Sequence, residues 1–235
     1  MHVIVASAMR TGSTWFVEVM RDILDCADGY AGTVAEANRM IRSTERIVIK
    51  THELHDVHWP EIDPGAHIVR ILRNYKDSLI SRALYVRHIR TAENYPLSDD
   101  EFRDLVPDKA EASDEEVLAA FIDASPLVEA WLREIVLRER GWSDRVLTVL
   151  YETLQHNPYD AFAEIVTALW PDWEEGPQRV VPSVRHHLRR GVELRKEIYR
   201  SRVVGVGGWE RWLTPEQGFR LDELYYRLRK EMESS

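Results

Sequence analysis

Residues 1–16 read MHVIVASAMRTGSTWF. The apolar run Val3–Ala6 has the composition of a short buried strand, and Thr14–Leu24 carries Phe16, Met20, Ile23 and Leu24 at helical spacing. The stretch between them, Ala8 to Trp15, is therefore a strand-to-helix loop. Gly12 allows a ligand close to the backbone. The N–H groups of Thr11, Gly12, Ser13 and Thr14 fall at a helix N-terminus, where the dipole favours an anion. Ser13 and Thr14 add hydroxyls and Arg10 adds a fixed positive charge. The pattern suits a phosphate or sulfate, but it is not the kinase pattern GxxxxGK[ST], because Ser13 stands where the Lys would be. A plain Gly-containing turn remains the alternative for the loop taken alone.

Arg46–Lys50 (RIVIK), His67–Leu72 (HIVRIL) and Arg145–Tyr151 (RVLTVLY) are further strand-like runs. Helical patterns alternate with them: from about Tyr75 to Arg90, across Glu115–Arg140 with a break at Pro126, and over Tyr159–Trp170. Thr214, Pro215 and Gln217 form an N-cap signature, followed by Leu221, Leu224, Tyr225 and Leu228 on one face of a terminal helix. This alternation predicts an α/β fold, a parallel β-sheet flanked by helices in three layers. In such sheets ligands bind beyond the carboxyl ends of the strands. With no repeat or linker, the chain reads as one domain, with the polar, acidic stretch 92–116 as an insert or lid.

Two further strand ends carry chemistry. Lys50–Thr51–His52 closes the second strand, and a neutral His is the usual general base near neutral pH. His52, His55 and His58 recur at three-residue spacing, as a metal site could. Pro60 and the strand exit argue against a regular helix there, and no metal is expected. Arg73 ends the third strand, and Ser81 falls about two turns into the next helix, where both could grip one phosphate. Lys76 and Asp77 are expected to be exposed in that helix's first turn.

The chain has 235 residues and a net charge of -9, which speaks against non-specific nucleic-acid binding. Its single cysteine, Cys26, excludes an internal disulfide and a Cys-rich metal site. No apolar run reaches the roughly 20 residues of a membrane span, and the chain opens on a strand rather than a signal peptide. A soluble cytoplasmic protein is expected, of unassigned oligomeric state. Charge is uneven: residues 93–129 hold twelve carboxylates against Arg103 and Lys109, whereas Arg185–Arg202 holds seven Arg and Lys against Glu193 and Glu197. An Arg-rich segment in an acidic chain suggests a specific anion site, with solvated helix faces as the plain alternative.

Taken together, these stretches resemble the sulfotransferases that use 3′-phosphoadenosine 5′-phosphosulfate (PAPS). The family's first loop reads like PKSGTTW, and Met9–Trp15 reads MRTGSTW. Its KTH corresponds to Lys50–Thr51–His52, and its RNPKDxxxS to Arg73–Ser81, where Tyr75 replaces the Pro. A YED-type motif corresponds to Tyr151–Glu152, and RKGxxGDWKxxxT to Arg202–Thr214. The motifs stand in order from residue 6 to 214, so the resemblance covers nearly the whole chain.

The resemblance implies a P-loop nucleotide-kinase-like fold, PAPS as donor co-substrate, and in-line transfer of a sulfuryl group to a hydroxyl or amine of a small-molecule acceptor. It implies that Arg10, Thr11, Gly12, Ser13 and Thr14 hold the 5′-phosphosulfate and that Trp15 stacks on adenine. Arg73, Ser81 and Arg202 would take the 3′-phosphate, with Tyr151 at the adenine end. His52 would be the base, with Lys50 and Arg10 stabilising charge. The departures are Arg10 for the family's Lys, Val203–Val204 for its Lys-Gly, and Gly208 for its Asp. The adenine-contacting TSF segment has no clear match; Ser183 is the nearest candidate, and Arg185, Arg189 and Arg190 could compensate for Val203–Val204.

Two other functions fit less of the pattern. A P-loop small-molecule kinase would need ATP-Mg²⁺ and the missing Lys. A catalytically silent nucleotide-binding regulator would not need Lys50 and His52. The acceptor is unassigned; the carboxylates of 93–129 suggest a cationic one. Because the chain opens on its first strand, the acceptor pocket is expected to lack an N-terminal covering segment.

Overall fold

The buried strand read at residues 3–6 belongs to a five-stranded sheet. Strand β1 (His2–Ser7) places Val3 and Val5 in one apolar cluster and Ile4 and Ala6 in another, so the clusters lie on opposite faces. Strands β2 (Ala27–Tyr30), β3 (Ile47–Thr51), β4 (Ala66–Leu72) and β5 (Val146–Leu150) join it. Among the described residues every pairing is parallel, and the order is β2-β3-β1-β4-β5. The chain leaves β1 for one side of the sheet and later crosses to the other. The loop after β1 therefore opens at the topological switch point, where sheets of this class bind ligands.

This computed structural model describes residues 1–8, 10–89, 113–124, 126–140, 144–197 and 206–234. The segment 92–112, Arg202 and Val203–Val204 lie outside them. The chain forms two compact units, Met1–Arg73 with Arg140–Val203, and Asn74–Glu139 with Val204–Ser235. Among the described residues no helix is long and apolar enough to cross a membrane.

The first unit contains the sheet. On its Val3 face pack α1 (Ser13–Leu24), α6 (Tyr151–His156), α7 (Pro158–Leu169) and α8 (Gly176–Glu197), through Phe16, Met20, Leu154, Phe162, Val180 and Val184. Phe16 and Phe162 are fully buried and stack at 5.2 Å, each contributing roughly 1.5–3 kcal/mol. The opposite face is covered by α2 (Val34–Ser43) and a 3₁₀ turn, Asp56–Glu61, through Ala37, Ile41 and Trp59. Both faces are dry, as a parallel sheet requires.

Sequence pattern missed β2. Its residues, ADGY, hold no β-branched run, and as an edge strand it is mostly exposed. The run Arg145–Tyr151 ends one residue early, because Tyr151 already begins α6.

The second unit is helical: α3 (Tyr75–Ile89), α4 (Asp114–Ala124), α5 (Pro126–Glu139) and α9 (Pro215–Glu233). Pro126 opens α5, and the Thr214–Gln217 capping box opens α9, both as the sequence suggests. Lys76 and Asp77 correct the expectation of exposure, since both are buried. Asp77 accepts the backbone N–H groups of Gly207 (2.8 Å) and Trp209 (2.9 Å). Lys76 donates to Asp222 at 2.8 Å and lies 4.2 Å from the Trp209 ring centroid. The first turn of α3 is thus an anchor for the 207–209 turn and α9. Asp77→Ala is expected to lower the unfolding free energy by about 2–3 kcal/mol, because two amides lose their charged acceptor. Denaturant titration at constant m-value reads this, and an unchanged midpoint would contradict the anchor.

Candidate functional site

Within the first unit, residues from four strand ends meet around the loop after β1. Arg10 (φ 66°) and Gly12 (φ 89°) both take left-handed backbone, which turns the chain sharply into α1. Gly12 is the N-cap of α1 and supplies no side-chain acceptor. The first N–H groups of the helix are therefore not capped by that side chain, the condition under which a helix N-terminus takes an anion. Thr11 is buried, and its hydroxyl donates to the Ala8 carbonyl at 3.0 Å, so the side chain braces the loop. Ser13 is buried and Thr14 exposed. The Ser7 hydroxyl, at the end of β1, is buried without a hydrogen-bond partner among the described residues.

Lys50, at the end of β3, reaches the loop and donates to Thr14 Oγ1 at 2.8 Å. Burial pushes its ammonium pKa below the ordinary value, and the nearby Arg10 charge pushes it the same way, partly offset by Glu18. Two cations crowd a helix N-terminus, so an anion between them would relieve the repulsion.

His52 follows Lys50 by two residues. Its Nδ1 lies 2.7 Å from the Ser7 carbonyl, which can only accept, so Nδ1 carries the proton and Nε2 is the basic nitrogen. Glu53 accepts the His52 backbone N–H (3.1 Å) and the Tyr30 hydroxyl (2.6 Å), and the Tyr30 ring stands 6.1 Å from the imidazole. Sequence pattern gave no sign of Ser7, Tyr30 or Glu53, because their roles depend on neighbouring strand ends.

Arg73 is buried at the end of β4. It donates to the Arg10 carbonyl at 2.8 Å, and its guanidinium lies 4.5 Å from the centre of the Tyr151 ring. The same ring also lies against Gly12, where a Cβ would stand 2.4 Å from two ring carbons. Arg10, Gly12, Arg73 and Tyr151 thus brace one another. Trp15 is half-buried, with its ring edge-on to Phe162 at 5.6 Å, so part of it belongs to the core.

Ser81 lies on α3, in the second unit. Arg202 lies outside the described residues, so the resemblance alone links these two to a phosphate. Ser183 is buried on α8, whereas Arg185 and Arg189 are exposed on it. His55 and His58 are used locally: the His55 ring pairs with Asp56, and the His55 backbone N–H donates to His58 Nδ1. Among the described residues, His52, His55 and His58 do not converge on a metal position.

A parallel α/β sheet with a cationic helix N-terminus at its switch point, and a tautomer-fixed His beside it, is the framework of a P-loop-like fold. The family model for the sulfotransferase domain matches residues 23–234, and the chain belongs to that family. In structure it is similar to mouse sulfotransferase SULT7A1 complexed with PAP, at 19% identity and a TM-score of 0.61, covering 97% of this chain and 84% of that one. It is also similar to retinol dehydratase in complex with androsterone and inactive cofactor PAP, at 14% identity and a TM-score of 0.54, covering 97% and 80%. At these identities the likeness is one of fold. No curated protein sequence matches the chain. The family match begins beyond the Ala8–Trp15 loop, so the loop's part rests on its own geometry.

Proposed function

We propose that this protein transfers a sulfuryl group from PAPS to a hydroxyl or amine of a small-molecule acceptor, releasing adenosine 3′,5′-bisphosphate (PAP). One observation carries the proposal: Lys50 and Arg10 crowd the anion loop while His52 is held at the same sheet edge with Nε2 as its base. In this mechanism the acceptor lone pair attacks sulfur in line, and the bond from sulfur to the bridging phosphate oxygen breaks. The acceptor proton passes to His52 Nε2. The amides of Thr11 to Thr14, with Arg10, hold the 5′-phosphosulfate, and Lys50 Nζ offsets charge developing on the leaving oxygen. Arg73 offers a guanidinium to the 3′-phosphate that distinguishes this donor from ATP, Tyr151 contacts the adenine end, and Trp15 stacks with its remaining face.

A thermal-shift comparison tests the donor. At about 100 times its dissociation constant, PAP is expected to stabilise the protein by about 2.7 kcal/mol, with no effect from ATP-Mg²⁺. Stabilisation by ATP-Mg²⁺ alone would make the protein a kinase instead. A turnover assay with PAPS, read by mass gain of a sulfonate on an acceptor panel, tests transfer. PAP binding without transfer to any acceptor would mark a catalytically silent regulator. A cationic acceptor is the finer part of the proposal, supported by the carboxylates of 93–129 and by Glu53 held beside His52. Faster reaction of neutral phenols than of amine- or guanidine-bearing acceptors would remove it.

A further inference from the structure

Helices α1 and α8 pack along each other in the first unit, and one point of their contact is polar. His187, on α8, is 2% exposed, yet both of its ring nitrogens face carboxylates of α1. Nε2 lies 2.7 Å from Asp22 Oδ2, and Nδ1 lies 3.7 Å from Glu18 Oε2. The exposed His186 turns its ring edge-on to His187, with centroids 5.1 Å apart. Donor atoms of Asp22, His186 and His187 all lie within 4.8 Å of one another. A hydrogen-bonded strut would account for His187 and Asp22 alone. His186, the preceding residue on α8, adds a third ligand-type nitrogen within that distance.

We propose that Asp22, His186 and His187 form a zinc site that clamps α1 to α8. Imidazole and carboxylate donors together suit Zn²⁺, whereas Mg²⁺ prefers oxygen alone. Zinc bonds of about 2.0–2.2 Å place tetrahedral donors about 3.3 Å apart. The cluster must therefore close by about 1.5 Å at its widest, which the exposed His186 supplies by turning about its own side-chain torsions. The ion takes the place of the proton on His187 Nε2, the neutral ring then carries its one proton on Nδ1 facing Glu18, and water fills the fourth place. Arg21 holds the other oxygen of Asp22, Oδ1, at 3.2 Å, which leaves Oδ2 to ligate. Burial would raise the Asp22 carboxyl pKa, but hydrogen bonds from His187 and then Arg21 outweigh it and keep it below its ordinary value. Asp22 is thus a carboxylate at neutral pH. Glu18 stands where a second carboxylate orients the ligating ring from its far nitrogen. The site is about 14 Å along α1 from Ser13. It is separate from the anion loop, and its role is structural.

The test uses the whole protein, free of any affinity tag and stripped of metal with a chelator. Zn²⁺ is expected to bind at one per chain by equilibrium dialysis and to raise the thermal midpoint, and Mg²⁺ to do neither. Co²⁺ as a probe should show the visible bands of a four-coordinate ion. His186 is exposed, so His186→Ala should fold normally yet weaken Zn²⁺ binding by about tenfold or more. Glu18→Gln should weaken it by about 10- to 100-fold. Absence of stoichiometric Zn²⁺ in the parent protein, or unchanged affinity in His186→Ala, would leave a strut and overturn the proposal. PAPS and PAP play no part in these readouts, so the outcome is independent of the transfer reaction.

Discussion

Alanine in place of His52 is expected to lower kcat by about 10²–10⁴-fold, while PAP still raises the unfolding midpoint as it does in the parent protein. That loss corresponds to about 2.7–5.5 kcal/mol of transition-state stabilisation. The hydrogen bond from Nδ1 to the Ser7 carbonyl contributes only about 0.5–1.5 kcal/mol to stability. A defect of the larger size therefore belongs to chemistry rather than to a loosened strand end. His52→Asn separates the two effects further. Its amide can still donate to the Ser7 carbonyl but cannot take a proton, so its rate should fall as far as that of His52→Ala. An Asn variant close to parental activity would make His52 a positioning residue. Equal rates for all three proteins would remove it from the reaction.

Much of this site was legible because its parts are local. A strand that runs into Gly12 and Ser13 at a helix start marks a strand-to-helix loop within eight residues, and Lys50 and His52 fall at a strand end, as their places in the sequence suggest. The sheet was legible for a similar reason. Its central strands are β-branched runs buried on both faces, whereas β2 sits at an edge and needs no apolar run. What stayed hidden depends on contacts between distant residues. Nothing near Lys76 or Asp77 signals that the 207–209 turn lies over them, so charged residues in a first helical turn read as solvated. The helix α8 was masked by Pro182 and by its arginines, which read as a charged segment. Its packing on α1, which brings His187 to Asp22, could not be inferred without it. The buried Ser7 hydroxyl is the same case in miniature: a small polar residue ending a strand gains meaning only once His52 is seen on its carbonyl.

Gly12→Ala should be the most damaging single-methyl change in the loop, costing about 2–5 kcal/mol of stability and at least about tenfold in PAP affinity. Two costs act together. The φ of 89° is left-handed backbone, which for alanine costs about 1–2 kcal/mol. The new methyl would also stand 2.4 Å from Cδ2 and Cε2 of Tyr151, a clash with a buried ring that costs about 1–3 kcal/mol to relieve. Tyr151 has little room to yield, because the Arg73 guanidinium lies 4.5 Å from its centre and Arg73 is itself tied to the Arg10 carbonyl. Displacing the ring thus loosens the loop it braces, which links the stability loss to the loss of nucleotide affinity. A double-mutant cycle resolves the two costs. Tyr151→Ala in the Gly12→Ala background removes the clash but keeps the backbone strain, so the double variant should be more stable than the sum of the single losses predicts. Strict additivity would mean that ring and glycine do not meet. A Gly12→Ala protein with parental midpoint and parental PAP affinity would sink the close approach and, with it, the loop's part in binding.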